Sequence, residues 1–253
     1  MSNNKPTFVL VHGAWHQPAH WGPLIASLNA HGYKTVAPAL PSVTNAPTAP
    51  CEDINDDTDT IRECMLAELD GEGGGNVVLV PHSYGGIPTT SALRGLDTLS
   101  RTAQGHQTSV IAIAALTSYI LPEGMNMAEA EQKPVPKGLL RAMDHPPPQL
   151  FYNDLSEEER MKWTALLRPM SSGALIGCST FSAHEVIPVH YLMADEDKAI
   201  TLGTQERIVN ILKTGAVEGR VRTEMLRGCG HSPFLSRVEE TTAFLRRSAG
   251  ESV

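Results

Sequence analysis

The sequence lacks the patterns of several classes of protein. No apolar run approaches the roughly 18 residues that span a bilayer. The N-terminal "MSNNKPTFVLVHG" has no charged segment followed by a long apolar one, so we expect no secretory signal and a cytoplasmic protein. Acidic residues (28) outnumber Lys and Arg (20), and the formal charge is −8, so the basic surface that nucleic acids require is missing. We therefore expect neither a membrane nor a nucleic acid as partner.

Metal and cofactor motifs are also scarce. The four cysteines include no C-x-x-C pair, which argues against structural zinc and favours free thiols in a reducing compartment. His16 and His20 are four residues apart, but no third ligand follows at a suggestive spacing, so we expect no metal site. The glycine-rich "GEGGGN" precedes a strand pattern instead of following one, which is wrong for a phosphate-binding loop. We expect a protein without a cofactor.

What the sequence does contain is an alternation of strand-like and helix-like segments. With 253 residues, the chain is long enough for one large α/β domain. The strand-like segments are "TFVLVHG", "YKTVAPALP", "NVVLVPHS", "SVIAIAALTSY", "VIPVHYLMA" and "VRTEMLRG". Helical patterns separate most of them, and this alternation predicts an α/β fold with a doubly wound, mostly parallel sheet.

The alternation is interrupted once, between the fourth and the fifth strand patterns. Residues 121–185 are rich in proline, methionine and charge, as in "KPVPKGLL" and "DHPPPQLFYNDLSEEERMKW". We interpret this stretch as an inserted, mainly helical lid. The core domain is then predicted to consist of residues 1–120 and 186–253.

The segment "VVLVPHSYGG" nearly matches the G-x-S-x-G nucleophile elbow, with Pro81 in place of the first glycine. A serine in a sharp strand-to-helix turn exposes its hydroxyl, and the helix N-terminus behind it favours developing negative charge. The first position of the motif lies at the end of a strand, where the fixed φ of proline is acceptable. Ser83 is therefore the candidate nucleophile.

Partners for this serine follow the last two strand patterns. His231 lies in "RGCGHSPF", and Asp195, Glu196 and Asp197 follow "YLMA", which gives the order serine, acid, histidine. A serine hydroxyl is too weak an acid to attack an ester at neutral pH, so a histidine must accept its proton. A carboxylate would hold the imidazole tautomer. At this point the acid is any of the three.

An anionic tetrahedral intermediate also needs two preorganised N–H donors. One is expected to be the backbone N–H of Tyr84, which follows the nucleophile. The other should come from the loop after the first strand, "HGAWH", where we select Ala14.

The segments "LVHGAWHQPAHW", "PHSYGG", "ADEDKAI" and "GCGHSPF", taken in this order, resemble the α/β-hydrolase superfamily. The sequence is most similar to the compact branch of plant-type methyl esterases and hydroxynitrile lyases, and the similarity is weakest in the lid. The resemblance implies an α/β-hydrolase fold and assigns the acid of an E-D-K-x-I segment to Asp197. Asp195 remains an alternative, as does Glu123, because some relatives place the acid after the fourth strand. Lyases of this branch have a lysine where Ser232 stands, which favours ester hydrolysis.

These observations predict a serine hydrolase that cleaves a carboxylic ester or a lactone of a small, largely apolar molecule. The alternatives are lyase or cofactor-free oxygenase chemistry on the same residues, and a small-ligand receptor with little turnover. The substrate and the oligomeric state are left open, with a homodimer as one alternative. Candidate lining residues of an apolar pocket, each equally explained as lid core, are Trp15, Tyr119, Met125, Met127, Phe151, Tyr152 and Trp163.

Overall fold

The computed structural model describes residues 5–46, 48–133 and 142–253. Their strands are β1 (Thr7–Val11), β2 (Thr35–Val36), β3 (Val77–Ser83), β4 (Val110–Ser118), β5 (Ala142–Met143), β6 (Met170–Ser171), β7 (Val189–Ala194) and β8 (Val221–Leu226). Six of these strands form one sheet in the order β2-β1-β3-β4-β7-β8, and every neighbouring pair is parallel. The other two, β5 and β6, form a small antiparallel pair.

The helices connect these strands in the alternation that the sequence predicted. In chain order they are α1 (Gly22–Ala30), α2 (Pro41–Thr44), α3 (Asn55–Asp70), α4 (Gly86–Ala92), α5 (Thr98–Ala103), α6 (Met127–Ala130), α7 (Glu157–Thr164), α8 (Ser172–Leu175), α9 (Leu202–Gly215), α10 (Pro233–Ser236) and α11 (Val238–Ser248). Short 3₁₀ turns cover Pro18–Trp21, Pro148–Leu150 and Ala183–Glu185. Among the described residues, no helix combines the length and the apolar character needed to cross a membrane.

Both faces of the sheet are covered, which confirms the doubly wound architecture. Successive residues of a strand point to opposite faces, so Val9 and Leu79 belong to one buried cluster, and Phe8 and Val78 belong to another. The first cluster includes buried residues of α3, α4 and α9, and the second includes those of α1 and α11. Such a sheet, apolar on both faces, is typical of parallel strands between two helical layers.

One strand is shorter than its sequence pattern predicted. β2 has only two residues, Thr35–Val36, although the apolar pattern continues through "APALP". Pro38 has no N–H to donate to the ladder, and Pro41 begins α2 at its first turn, where proline is tolerated. The two prolines explain why the edge strand ends early.

The predicted lid lies between the end of β4 at Ser118 and the start of β7 at Val189. It contains α6, α7, α8 and the β5–β6 pair, joined by irregular chain, and residues 134–141 fall outside the described residues. Part of it has its own small apolar cluster, made by Phe151, Tyr152, Trp163 and Leu167. The exact boundaries of the two domains stay a prediction.

The turn between β3 and α4 depends on glycine for close packing. A Cβ on Gly85 would lie 2.6 Å from the carbonyl oxygen of His12, and one on Gly86 would lie 2.5 Å from that of Tyr119. Both neighbours are backbone atoms at the ends of adjacent strands, so neither moves aside easily. The two glycines therefore allow α4 to start directly against β1 and β4.

We expect Gly86→Ala to lower the free energy of unfolding by about 2 kcal/mol or more, because an extra methyl group must displace backbone. The matched control is Gly22→Ala in α1, where a Cβ meets no atom within 4 Å and φ is −46°. That change should be neutral or slightly stabilising. Urea unfolding of both variants measures the difference, and equal stabilities would contradict this account.

Candidate active site

The parallel sheet brings the candidate residues to one edge. Ser83 ends β3, Asp197 follows β7 and His231 follows β8, so all three lie at carboxyl ends of parallel strands. Ligands of open α/β sheets bind outside these ends. The loop after β1, residues 12–17, lies at the same edge, because a Cβ on Gly13 would be 2.8 Å from the Cβ of Ser83.

Ser83 has a left-handed backbone conformation, with φ of 53°. For a residue with a side chain this conformation costs on the order of 1–3 kcal/mol and persists only when neighbours impose it. Here the carbonyl of Ser83 accepts hydrogen bonds from the N–H of Tyr119 at 3.1 Å and from the hydroxyl of Ser118 at 2.9 Å. The side chain of Ser83 stays partly exposed while its chain neighbours are buried.

His231 and Asp197 form a buried pair. The Nδ1 of His231 lies 2.7 Å from Oδ2 of Asp197, and both side chains are fully buried. The other carboxylate oxygen accepts the N–H groups of Ala199 and Ile200 at 2.7 and 2.8 Å. Because the carboxylate accepts, Nδ1 carries the proton, and Nε2 of His231 is left buried without a hydrogen-bond partner among the described residues.

The backbone of His231 is fixed to the ends of the central strands. Its carbonyl accepts hydrogen bonds from Nε2 of His82 at 2.9 Å and from the hydroxyl of Thr117 at 3.0 Å. Within the described part of the chain, Ser83 and His231 are not hydrogen-bonded to each other. Such bonds are often long in the absence of substrate and tighten only in the reacting complex.

The two alternative acids lie elsewhere. Asp195 accepts the N–H of Gly228 at 2.7 Å and lies 3.4 Å from the guanidinium of Arg227. Glu123 is exposed and pairs with Arg94 at 3.6 Å. Of the carboxylates that the sequence offered, the structure thus brings Asp197 to His231.

The loop after β1 orients the N–H of Ala14. The carbonyl of Gly13 accepts hydrogen bonds from Nδ1 of His12 at 3.0 Å and from the N–H of His16 at 3.2 Å. In a trans peptide the N–H opposes the carbonyl, so the N–H of Ala14 is directed away from both donors. In the described residues neither this N–H nor that of Tyr84 has an acceptor, and their role as oxyanion donors stays a prediction.

The side chain of Tyr84 is used for anchoring. Its buried hydroxyl donates to Oδ2 of Asp57 at 2.8 Å, and Oδ1 of Asp57 accepts the N–H of Ser42 at 2.8 Å. Burial raises the pKa of Asp57 and the pKa of Tyr84. Tyr84, the residue after Ser83, therefore anchors the elbow to α3 and α2.

Four further histidines surround the site, all buried, and sequence reasoning did not assign them a role there. Burial lowers the pKa of His12 to about 4 and lowers the pKa of His20. Burial also lowers the pKa of His16 and of His82 well below the usual range, with neighbouring histidines adding to the effect. Neutral rings each carry one donor and one acceptor, so they act here as fixed hydrogen-bonding groups.

His16 and His20, four residues apart, both form hydrogen bonds that join the β1 loop to the rest of the site. Nδ1 of His16 donates to the carbonyl of Ala14 at 2.7 Å, and its Nε2 accepts the hydroxyl of Tyr152 at 2.9 Å. Nε2 of His20 donates to the carbonyl of Trp163 at 3.2 Å. The two rings are 4.6 Å apart and link the β1 loop to the lid.

The lid covers this edge of the sheet with aromatic rings. The ring of Phe151 lies 6.0 Å from that of His231 and 5.8 Å from that of Trp15. Trp15 itself is partly exposed and has φ of 61°. Phe151 therefore adds an apolar face to His231, whose nearer ring neighbour is the imidazole of His82 at 4.6 Å.

The other predicted pocket residues lie at different depths. Tyr119 is buried beside Ser83 and its hydroxyl donates to Glu131. Met125 is partly buried against the larger core cluster. Trp163 is buried in the lid cluster, with its indole N–H donating to Glu159 at 2.8 Å. Contact of any of them with a substrate stays a prediction.

Comparison with known proteins agrees with the fold. Residues 8–244 match the family model described as the alpha/beta hydrolase family. The chain is 26% identical to the alpha/beta hydrolase nvfD of Aspergillus novofumigatus (strain IBT 16806), over 98% of both chains. Among solved structures, polyneuridine aldehyde esterase is 20% identical with a TM-score of 0.70, covering 97% of this chain and all of the other. The methylesterase protein MES16 from Arabidopsis is 22% identical with a TM-score of 0.69, covering 97% and 99%.

The buried neutral histidines predict a pH dependence of stability. Unfolding returns His12 from a pKa of about 4 to the usual 6.5, so the unfolded chain binds more protons between these values. The free energy of unfolding should therefore fall as the pH falls from 6.5 to 4, by about 1 kcal/mol per pH unit for this residue.

Urea unfolding across this pH range measures the effect. His12→Gln keeps an acceptor for the N–H of Leu40, which His12 now accepts at 3.1 Å, and should give a shallower slope than the wild type. His31→Gln, on the exposed surface, is the control and should leave the slope unchanged. Parallel curves for wild type and His12→Gln would refute the assignment.

Proposed function

This chain belongs to the alpha/beta hydrolase family, and we propose that it hydrolyses a carboxylic ester or a lactone of a small, largely apolar molecule through an acyl-serine intermediate on Ser83. The observation that carries the proposal is the His231–Asp197 pair at 2.7 Å, which leaves Nε2 of His231 as the one ring nitrogen able to accept a proton. The nucleophile in this proposal is the side-chain hydroxyl of Ser83, which the strained backbone conformation presents at the end of β3.

In the first step Oγ of Ser83 bonds to the carbonyl carbon of the substrate, and its proton passes to Nε2 of His231. The imidazolium that forms is stabilised by the carboxylate of Asp197. This carboxylate cannot turn away, because its Oδ1 is held by the N–H groups of Ala199 and Ile200.

The substrate carbonyl oxygen becomes negative in this step and accepts hydrogen bonds from the N–H groups of Ala14 and Tyr84. Such donors contribute most when they are fixed in advance and shielded from water. The bonds that orient the Gly13–Ala14 peptide and the anchoring of Tyr84 to Asp57 support this role.

Collapse of the intermediate breaks the bond to the leaving oxygen, which takes the proton from Nε2 of His231. A water molecule then attacks the acyl group while the same nitrogen accepts its proton, and the proton returns to Oγ as Ser83 leaves. The imidazole thus serves as base and acid in turn, and the cycle consumes one water per ester.

The ring of Phe151 over His231 supports an apolar substrate. The names of two structural neighbours refer to an aldehyde esterase and to a methylesterase, which favours an ester as the bond that is cleaved. Ser232 follows His231 at the position where hydroxynitrile lyases of the similar plant-type branch have lysine. Hydrolysis is therefore preferred to cyanohydrin cleavage.

The direct test is labelling with a fluorophosphonate probe together with turnover of short p-nitrophenyl esters and a lactone panel. Wild type should label and turn over, and Ser83→Ala should lose both because the nucleophile is gone. Ser118→Ala, a neighbouring serine whose hydroxyl bonds to the Ser83 carbonyl, should still label. A wild type that binds small molecules but neither labels nor turns over is a receptor, and the proposal then fails.

The choice of acid is tested by Asp197→Asn beside Asp195→Asn. Asparagine at 197 favours the wrong tautomer of His231 and should lower kcat about 10³- to 10⁴-fold. At position 195 the same change should cost less than about tenfold, because that side chain bonds Gly228 and Arg227 rather than the ring. The opposite order of effects would move the acid to Asp195.

A further inference from the structure

One short stretch of the lid contacts three loops of the candidate site. This docking segment, residues 151–154, reads Phe-Tyr-Asn-Asp and follows the 3₁₀ turn Pro148–Leu150. Phe151 covers the ring of His231, as described above. The next three residues each place one polar side chain on a different loop at the carboxyl edge of the sheet.

Tyr152 reaches the loop after β1. Its side chain is fully buried, and its hydroxyl donates to Nε2 of His16 at 2.9 Å. Nδ1 of His16 carries the proton because it donates to the carbonyl of Ala14 at 2.7 Å, and Nε2 is then the acceptor for the hydroxyl of Tyr152. The lid therefore holds the imidazole ring that fixes the carbonyl of Ala14.

Asn153 and Asp154 reach the loops that carry the acid and the base. Nδ2 of Asn153 donates to the carbonyl of Glu196 at 3.0 Å, one residue before Asp197. Oδ2 of Asp154 accepts the N–H of Gly230 at 2.7 Å, one residue before His231. The acid and base loops also bond to each other, through the N–H of Glu196 and the carbonyl of Cys229 at 3.0 Å.

The contact with Gly230 leaves no room for a side chain. A Cβ there would lie 2.5 Å from Oδ1 of Asp154 and 2.6 Å from Oδ1 of Asn153. Both of these oxygens are buried without a hydrogen-bond partner among the described residues. Unpaired buried oxygens cost stability, so these side chains are expensive to keep here for packing alone.

We propose that Tyr152, Asn153 and Asp154 are positioning residues: docking of this lid segment sets the geometry of the loop that carries Ala14 and of the His231–Asp197 pair. The consequence for rate rests on the function proposed above. A displacement of about 1 Å in a catalytic group can reduce the rate about 100-fold. The docking segment therefore acts on the chemical step through the loops that its polar groups bond.

The test compares Asp154→Ala with Asp154→Asn. Alanine removes the acceptor for the N–H of Gly230, whereas asparagine retains an oxygen there. For Asp154→Ala we expect kcat and the fluorophosphonate labelling rate of Ser83 to fall about 10- to 100-fold, with KM changed less than about threefold. Asp154→Asn should restore most of the rate. Glu158→Ala, exposed at the start of α7, is the control and should match wild type.

Two further variants address the other contacts. Tyr152→Phe removes only the hydroxyl on His16, and Asn153→Asp replaces the donor to Glu196 with an acceptor. Both should lower kcat in the same way as Asp154→Ala, and they carry the test if Asp154→Ala does not fold. Melting temperature is recorded for every variant. Wild-type kcat and labelling rates in folded Tyr152→Phe, Asn153→Asp and Asp154→Ala would overturn the proposal.

A readout that needs no turnover separates this inference from the proposed function. The proton on Nδ1 of His231, bonded to a buried carboxylate, should give a far-downfield proton NMR signal. In Asp154→Ala this signal should shift or broaden, and in Glu158→Ala it should not. If wild type proves inactive, an altered signal still supports positioning by the docking segment, and an unaltered one overturns it.

Discussion

The left-handed backbone of Ser83 is the constraint on which the arrangement of the site depends. A backbone φ of 53° costs conformational free energy in a residue that has a side chain. The conformation is kept because three elements pack around it. The end of β4 holds its carbonyl, the loop after β1 approaches it with a glycine, and α4 begins with Gly85 and Gly86 where no Cβ fits. The position of the serine hydroxyl is thus a property of the whole sheet edge.

The same edge is built from hydrogen bonds between neutral buried groups. Burial keeps His12, His16 and His82 uncharged, so they add no positive charge beside His231. Each ring instead fixes a backbone carbonyl, of Gly13, Ala14 and His231 respectively. A lysine or an arginine at these positions would bring an unpaired charge into a low-dielectric interior, where it is poorly tolerated.

Local patterns were sufficient to predict the sheet and the candidate serine and histidine, because strand periodicity and strand-end residues are local properties. Pro81 illustrates why the imperfect motif is tolerated: Leu79 pairs with Ile113 and His82 with Leu116, so the register with β4 is the same on both sides of the proline. The choice among three adjacent carboxylates was not a local property. It depends on how the chain turns after β7, and only Asp197 receives the two N–H groups that aim its other oxygen at His231.

Contacts between the lid and the catalytic loops were beyond the reach of sequence patterns. Tyr152 and His16 are 136 residues apart, and Gly230 and Asp154 are 76 apart, so no periodicity connects them. Their meeting follows from topology: the segment inserted between β4 and β7 leaves the sheet at the carboxyl edge, where the reactive groups lie, and contacts that edge before the chain returns to the opposite edge to begin β7. In the proposed role, the lid both covers the substrate and holds the loops of the candidate site, which couples specificity to rate. In that role the docking segment governs kcat, and the rest of the lid is left free to alter which substrate is bound.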